Sequence, residues 1–489
     1  MKKYDAIIIG GGPAGIFSAY ELSDLDKNIL MLDKGKASYK RGLSGLEGFG
    51  GAGLFSDVKL CMRHDVGTSL DELFYDENIK KYREENEYKE SVLNDIYLTI
   101  EEKSSFHTKN NILKQKIYSD GIKELFERFI EVKKIFSEFS EIAGLKKDFE
   151  NLYGNYDESS KEIEKILEEE LLIGSDYYPV IHIGTDQGKT IAREFEKYLE
   201  DRIDIQYETE VKKIEKKSNF RVKTVENEFS GDIVILAPGK MGNKWSSIQA
   251  RRLGCETYKT NPWLGVRVEC KKNDKSPLST YSDDPKIKDE GHWPDEKWKI
   301  KLHCFAEGGE VISYPWKKHL LVGGRANSSR SNNNTNFDVL YTDLKTKSDC
   351  IENEIKDSIK VQKLGDYLEN RKTIREGCVK PTLKEFETGN VRESLNKINK
   401  NFSKQLPVFL KKIDKLYPGV YKKDTLIYFP VVEGGSEKIK TGKNMETTEM
   451  KNFYVIGDGG GNTQGIISAA VSGMIAGKDI KYKLTSNSC

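Results

Sequence analysis

The chain has 489 residues, with 79 Lys+Arg against 78 Asp+Glu and a formal charge of +1. That balance leaves no summed basic field to displace phosphate counterions, which argues against nucleic-acid binding. Hydrophobic residues make up 37% and charged residues 32%; no apolar run reaches the roughly 18 residues of a membrane span, no cleaved leader is expected, and the length suits about three domains.

Residues 4–9, Tyr-Asp-Ala-Ile-Ile-Ile, form an apolar run without alternation and predict a buried parallel strand. Gly10-Gly11-Gly12-Pro13-Ala14-Gly15 follows, then a helix from Ile16 to Leu22, and a second strand, Asn28 to Leu32, that ends on Asp33. This is G-x-G-x-x-G between strand and helix, with an acid 18 residues beyond the last glycine. Gly10 suits the tight turn, Gly12 lets the backbone approach a pyrophosphate, and Gly15 lets helix and strand pack closely. The amides at the helix start suit a diphosphate, and Asp33 can accept hydrogen bonds from a ribose. The alternative is a glycine-rich turn that only packs a helix.

A second glycine-dense loop runs from Arg41 through Gly45, Gly48, Gly50 and Gly51 to Gly53-Leu-Phe-Ser56-Asp57. NAD has no need of it; a flat isoalloxazine ring does. Residues 71–174 then change composition. Asp71 to Glu90 is densely charged, while Ile122, Leu125, Phe126, Phe129, Val132, Phe136 and Phe139 recur at helical spacing, as do Ile163, Ile166, Leu167 and Leu171. They predict a helical insertion packed on the dinucleotide domain, either a subdomain with one buried stripe or a lid, a partner surface or a membrane-surface contact.

A helix at 191–200, a strand at 203–207, two hairpin strands near 208–229 and a buried strand from Asp232 to Ala237-Pro-Gly239 are expected next. Residues 259–430 predict an antiparallel substrate domain with strands at 263–269, 299–303, 310–314 and 319–322, a polar loop at 328–336, and helices near 350–370 and 401–416. The segment Tyr428 to Gly435 leads back. A last strand, Phe453 to Ile456, delivers Gly457-Asp458, and a helix runs from about 465 to 477. Its start can face the pyrimidine edge of a flavin and stabilise the anion formed on reduction.

With these stretches in hand, the chain resembles the two-domain FAD-dependent oxidoreductases related to p-hydroxybenzoate hydroxylase and geranylgeranyl reductase. More closely it is similar to a bacterial group labelled only as FAD-dependent dehydrogenases. The closer resemblance rests on residues 48–57, His182-Ile-Gly-Thr-Asp186, residues 237–245, Gly265-Val-Arg-Val-Glu269, Cys304 with Gly308-Gly309, residues 364–368, and Gly465-Ile-Ile-Ser-Ala-Ala470. It implies a fold of class α/β plus α+β: a Rossmann-like FAD-binding domain assembled from the discontinuous segments 1–70, 175–258 and 431–489, the helical insertion 71–174, and the antiparallel-sheet substrate domain 259–430. It implies non-covalent FAD held by Gly10, Gly12, Pro13, Ala14 and Gly15 at the diphosphate, with Asp33 and Lys34 at the adenosine ribose. Val211 would take the adenine, and Arg41, Gly50, Gly51, Ser56, Asp57, Ala237, Gly239, Gly457, Asp458, Gly465 and Ile466 would line the rest. Relatives carry two cysteines before the Gly308-Gly309 pair, where this chain has Cys304 and Ala306; Val58 and Cys61 also stand where a glycine and a polar residue are usual.

Catalytic candidates follow from chemistry. His182 is an acid–base candidate, with a structural histidine as the alternative. Cys304 is a cavity thiol or a small buried hydrophobe. Asp57 and Lys59 tune the flavin or satisfy loop amides, and Arg267 and Arg325 pair with an anionic substrate or with protein acids. No second G-x-G-x-x-G follows a strand, so electrons would pass through transient NAD(P)H or an electron-donor protein. The expected function is a FAD-dependent oxidoreductase acting on a small organic substrate through flavin N5. A flavin monooxygenase and a flavin-bearing assembly protein that docks a partner through the insertion are the alternatives. Seven cysteines without Cys-x-x-Cys, and six scattered histidines, predict free thiols in a reducing, cytoplasmic setting and no metal site.

Overall fold

The apolar run at the start forms the strand Lys3–Ile9, with Ala6, Ile7 and Ile8 fully buried. It is flanked in parallel by Ile29–Leu32 on one side and by Glu228–Leu236 on the other. Asp204–Gln206 extends the sheet in parallel beyond Ile29–Leu32. Phe453–Val455 pairs in parallel with the second half of Glu228–Leu236. The first half of that long strand pairs instead with the antiparallel hairpin Lys213–Lys216 and Phe220–Lys223. One strand thus carries both the parallel layer and the side hairpin, seven strands among the described residues.

The computed structural model describes residues 2–42, 46–62, 70, 73, 74, 120–146, 149, 158–170, 172–174, 180–291, 298–316, 319–343, 346, 348–355, 358–373 and 379–486. The expectations for Gly45, Leu171, Cys378, Cys489 and nearly all of the charged stretch 71–90 lie outside them. Among the described residues no helix is long and apolar enough to cross a membrane.

Two helices cover one face of the parallel layer, Pro13–Leu22 and Ile466–Ser486. Small residues let them touch. A Cβ added at Gly473 would fall 2.0 Å from the Ala14 carbonyl oxygen, and one at Gly477 would meet Glu21 at 2.6 Å. The last helix runs past 477, where the sequence suggested an end. Helix Asp120–Ile142 packs on the same layer through Phe136 and Phe139. Phe139 stacks on Phe195 at 3.9 Å, and Phe136 meets Phe17 at 5.2 Å. Helix Glu158–Glu169 does otherwise: Ile163 and Leu167 pack with the second sheet, whose edge is Ile173–Gly174. The inserted segment therefore serves both layers.

The second sheet has eight strands in the order 387–388, 360–363, 426–434, 262–271, 334–343, 298–306, 287–290 and 173–174. All neighbours are antiparallel except the pair 360–363 and 387–388. One face is apolar: Leu264, Val266, Val268, Ile300, Leu302, Phe337, Val339 and Tyr341 pack with Phe402, Leu406, Phe409 and Leu410 of helix Lys400–Leu416. The other face is also buried, yet it carries Arg267, Glu269, Asn334, Asn336 and Asp338. Three findings correct the sequence reading here. Asn334-Thr335-Asn336 is a buried strand start, not loop, because its side chains are partners for buried charges: Asn334 donates to Glu269 at 2.9 Å and Asn336 accepts from Arg267 at 2.6 Å. The single helix expected near 350–370 is helix Ser348–Glu354, strand Lys360–Lys363 and helix Leu364–Leu368, the strand being drawn out by pairing with 426–434. The stretch from Tyr428 is itself a strand of this sheet, which crosses residue 430.

Candidate functional site

The glycines of the first turn divide by what surrounds them. Gly10 has φ +111°, and an added Cβ would fall 2.2 Å from the Ala237 carbonyl oxygen. A Cβ at Gly15 would fall 1.9 Å from the Gly10 carbonyl oxygen. Both positions are filled by the protein's own backbone. Gly12 differs: among the described residues, an added Cβ would meet within 4 Å only the Gly51 Cα, at 3.7 Å. Gly51 sits opposite, in the second glycine loop, with φ +59°. The Gly50 amide donates to the Gly11 carbonyl at 2.8 Å.

The distant stretches converge on this turn. An added Cβ at Gly53 would meet Ile466 at 2.9 Å and Pro13 at 3.1 Å, and one at Gly457 would meet Ala14 at 2.9 Å. Asp33 is buried and accepts from the Gly11 and Gly35 amides at 2.7 Å each, so it ties the turn to the second strand. Lys34 is exposed and paired with Glu47. One Arg41 nitrogen, Nη1, donates to the Gly48, Phe49 and Gly51 carbonyls at 3.0, 2.8 and 2.9 Å, and the guanidinium lies over the Phe55 ring at 3.7 Å. Burial lowers its pKa to about 10. Arg41 therefore shapes the loop. Ser56 donates to the Gly53 carbonyl at 3.2 Å. Val211 is buried among Ile9, Leu32 and Leu236 at the adjoining end of the sheet. Gly239 opens the helix Gly239–Arg252 with free space where a Cβ would be. Gly465 has φ +114° just before the last helix.

Asp458 is half-buried near the start of that helix and accepts from Thr463 at 2.9 Å. Burial pushes its carboxyl up to about 7, against the pull of Thr463 and Lys240 and with Glu433 adding to the push. Lys240 bridges back to Glu433 at 2.6 Å, so this ion pair stands between the first domain's helix and the second sheet.

Asp57 joins the two layers. Its Oδ1 accepts from the Ala326 amide and from His182 Nε2, both at 2.9 Å, and its Oδ2 lies 2.9 Å from Lys59 Nζ. Burial alone would raise its carboxyl; Lys59 and His182 outweigh that and hold it below the usual range. Lys59 also reaches Asp284 at 3.5 Å and donates to the Phe305 carbonyl. Burial opposes its charge, yet Asp57 and Asp284 raise its pKa. His182 is held at both nitrogens: Arg330 Nε donates to Nδ1 at 3.3 Å, which leaves Nε2 to donate to Asp57.

Cys304 is half-buried, with φ +52°, and burial raises its thiol pKa. Its carbonyl accepts from Arg267 Nη2 at 2.9 Å. Arg267 is fully buried, paired with Asp338 at 2.8 Å, and in contact with the backbone of Gly324. Arg325 is paired with Glu310 at 2.6 Å. Nothing local in the sequence marks His303, which stands opposite Asp338 with Nδ1 3.6 Å from its carboxylate. Only strand register reveals it.

No family model matches the chain. An uncharacterized protein of Methanosarcina barkeri is 56% identical over 34 residues, which span 7% of this chain and 9% of that relative. Among solved structures, the chain is similar to NikD, an unusual amino acid oxidase of nikkomycin biosynthesis, with a TM-score of 0.43 and 10% identity over 98% of this chain and 94% of that one. Glycine oxidase from Geobacillus kaustophilus matches with a TM-score of 0.38 and 11% identity over 98% and 95%. A flavoprotein/dehydrogenase from Cytophaga hutchinsonii matches with a TM-score of 0.35 and 10% identity over 99% and 79%.

Proposed function

We propose that the chain is a FAD-dependent oxidoreductase acting on a small organic substrate. The observation that carries this reading is the strip of bare backbone between Gly12 and Gly51. Gly10 and Gly15 are glycines because the protein fills their side-chain space, whereas at Gly12 only Gly51 stands near. A diphosphate is the group for which such a strip, at a strand end beside a helix start, is suited. The half-buried Asp458, whose carboxyl pKa is raised to about 7, suits the hydroxyls of a ribityl chain.

In this reading Gly12, Pro13 and Gly51 admit the diphosphate, Asp33 adds a ribose hydroxyl to its amide partners, and the helix start at Gly465–Ile466 faces the ring. Bound FAD supplies two-electron chemistry at its ring. The polar face of the second sheet walls the substrate side. Asp57, Lys59 and His182 hold that wall to the glycine loop; His182, with both nitrogens engaged, acts as a brace. The substrate domain runs to Gly434 and includes Ile173–Gly174. Electrons enter or leave through transient NAD(P)H or a partner protein.

The test is direct. Purified protein is heat-denatured and the supernatant chromatographed beside FAD. Release of FAD, in near 1:1 ratio to chain, is expected. A colourless protein that also cannot be reloaded with FAD overturns the reading.

A further inference from the structure

The strand Trp298–Ala306 loses register with its neighbour between His303 and Ala306. Bulges of this kind re-aim a side chain, and a non-glycine residue at positive φ persists only where its surroundings over-determine it. Here they do. Two buried cations take successive carbonyls of the bulge: Arg267 takes that of Cys304 and Lys59 that of Phe305. Each cation is in turn held by a buried carboxylate, Asp338 and Asp57. A pair of ion pairs therefore fixes the backbone on the C-terminal side of His303.

The side chain this bulge presents is the imidazole. His303, Asp338 and Arg267 are directly opposite one another on three adjacent strands, so their side chains share the polar face. Nδ1 lies 3.6 Å from the Asp338 carboxylate, a charge contact without a hydrogen bond, and Asp338 is paired with Arg267 at 2.8 Å. No hydrogen bond engages Nε2 among the described residues, and the side chain is 29% exposed. His182 and His319, by contrast, are buried. Around the ring stand Asp338, Lys301 of its own strand, Lys286 and Asp284 beside strand Ile287–Glu290, and Glu433. Glu433 is the residue that Lys240 pairs with, and both act on Asp458. Glu433 stands opposite Trp263 on the far side of the same sheet, and its charge acts on both His303 and Asp458.

We propose that His303 is the catalytic base of this site, oriented by Asp338, and that the substrates are neutral molecules with a CH–OH or CH–NH unit. The inference rests on the FAD reading above. Burial first, then Lys286, lowers the imidazole's pKa below its ordinary value, against the opposing pull of Asp338 and Glu433. Oxidising CH–OH or CH–NH removes a hydride from carbon and a proton from the heteroatom, leaving C=O or C=N. FAD would accept the hydride, and His303 Nε2 the proton. The neighbouring charges are already matched: Arg267 with Asp338, Lys240 with Glu433, Lys59 with Asp57. A charged substrate would find no unmatched counter-ion among these residues.

The test uses the FAD-loaded chain without any substrate. The midpoint potential of the bound flavin is measured against pH, from about pH 5 to about pH 9, in wild type, His303→Gln and Asp338→Asn. Negative charge gained on reduction draws a proton to a nearby neutral imidazole. Wild type should therefore take up about one more proton per electron pair than His303→Gln over part of the range. Asp338→Asn should keep the extra proton but move it to lower pH. If wild type and His303→Gln give superimposable profiles at equal FAD content, the proposal fails and the FAD reading stands. If wild type never retains FAD, both fall. Should the variants fail to fold, carbethoxylation of wild type by diethyl pyrocarbonate decides: His303 should be modified faster than His182 and His319, and a His303 as unreactive as they are overturns the proposal.

Discussion

The Gly10 carbonyl oxygen occupies the place a Gly15 side chain would take, 1.9 Å from an added Cβ. No such obstruction exists at Gly12, whose nearest neighbour would be 3.7 Å away. The two glycines should therefore fail differently. Gly15→Ala must push backbone against backbone and should cost about 3 kcal/mol. Gly12→Val should fold, with a melting temperature close to that of the FAD-free wild type, and yet purify colourless. Thermal melts of the apoproteins and the flavin-to-chain absorbance ratio separate the two effects. A Gly12→Val protein as yellow as wild type would show that the phosphates lie elsewhere.

Asp57 and Asp338 are buried carboxylates whose pKa values are depressed, against the effect of burial, by Lys59 with His182 and by Arg267 with His303 respectively. A depressed folded-state pKa contributes stability that is complete above the unfolded value of about 3.9 and is lost as pH falls through the lower folded value. Through these two groups urea midpoints should fall below about pH 4, the opposite slope to that of Asp458, whose raised carboxyl contributes stability that is lost as pH rises through about 7. Asp57→Asn leaves Lys59 with a weakened set of partners and should cost about 3–5 kcal/mol at pH 7. Its midpoint should then depend less on acid than that of wild type.

A Cβ at Gly324 would fall 1.8 Å from Arg267 Nη2 and 2.2 Å from Asn336 Oδ1. Gly324→Ala should displace the guanidinium from Asp338 and uncouple the bulge at His303. The cost should exceed about 3 kcal/mol, because a buried charge loses its partner. Equilibrium denaturation measures it, and a silent substitution would mean that Arg267 does not hold the second sheet.

Phe139 stacks on Phe195 and also meets Tyr198 and Tyr20. Phe139→Ala should cost about 3–5 kcal/mol of packing and loosen helix Asp120–Ile142 from the parallel layer before the layer itself melts. Limited proteolysis should then cut within 120–142 while leaving 180–250 protected.

The parallel layer was readable because strands buried on both faces need apolar runs, and Tyr4 to Ile9 and Asp232 to Leu236 supply them. The glycine turn was readable because its spacing is itself the geometry. The second sheet was read only in part. Ile287–Glu290, with the sequence Ile-Lys-Asp-Glu, carries too little apolar character to announce a strand, and Lys360–Lys363 is extended only because Leu426–Gly434 lies beside it. Asn334 to Asn336 looked like loop because polar residues seldom fill a buried strand; they do so here as partners of Glu269 and Arg267. His303 was missed for the same cause. Its meaning comes from standing opposite Asp338, and register between strands is not written in either strand alone.

The helix Ile466–Ser486 lies against Pro13–Leu22, and Ile466 and Pro13 both stand beside Gly53 at the glycine turn. The cradle is thus closed by residues separated by more than four hundred positions of chain. During synthesis its first half emerges early and must wait. Until the ribosome has passed residue 486, the first turn stands without the small-residue helix that packs behind it. On the reading proposed above, FAD would load late in the life of each molecule, and prematurely stopped chains would be left empty for proteases to clear.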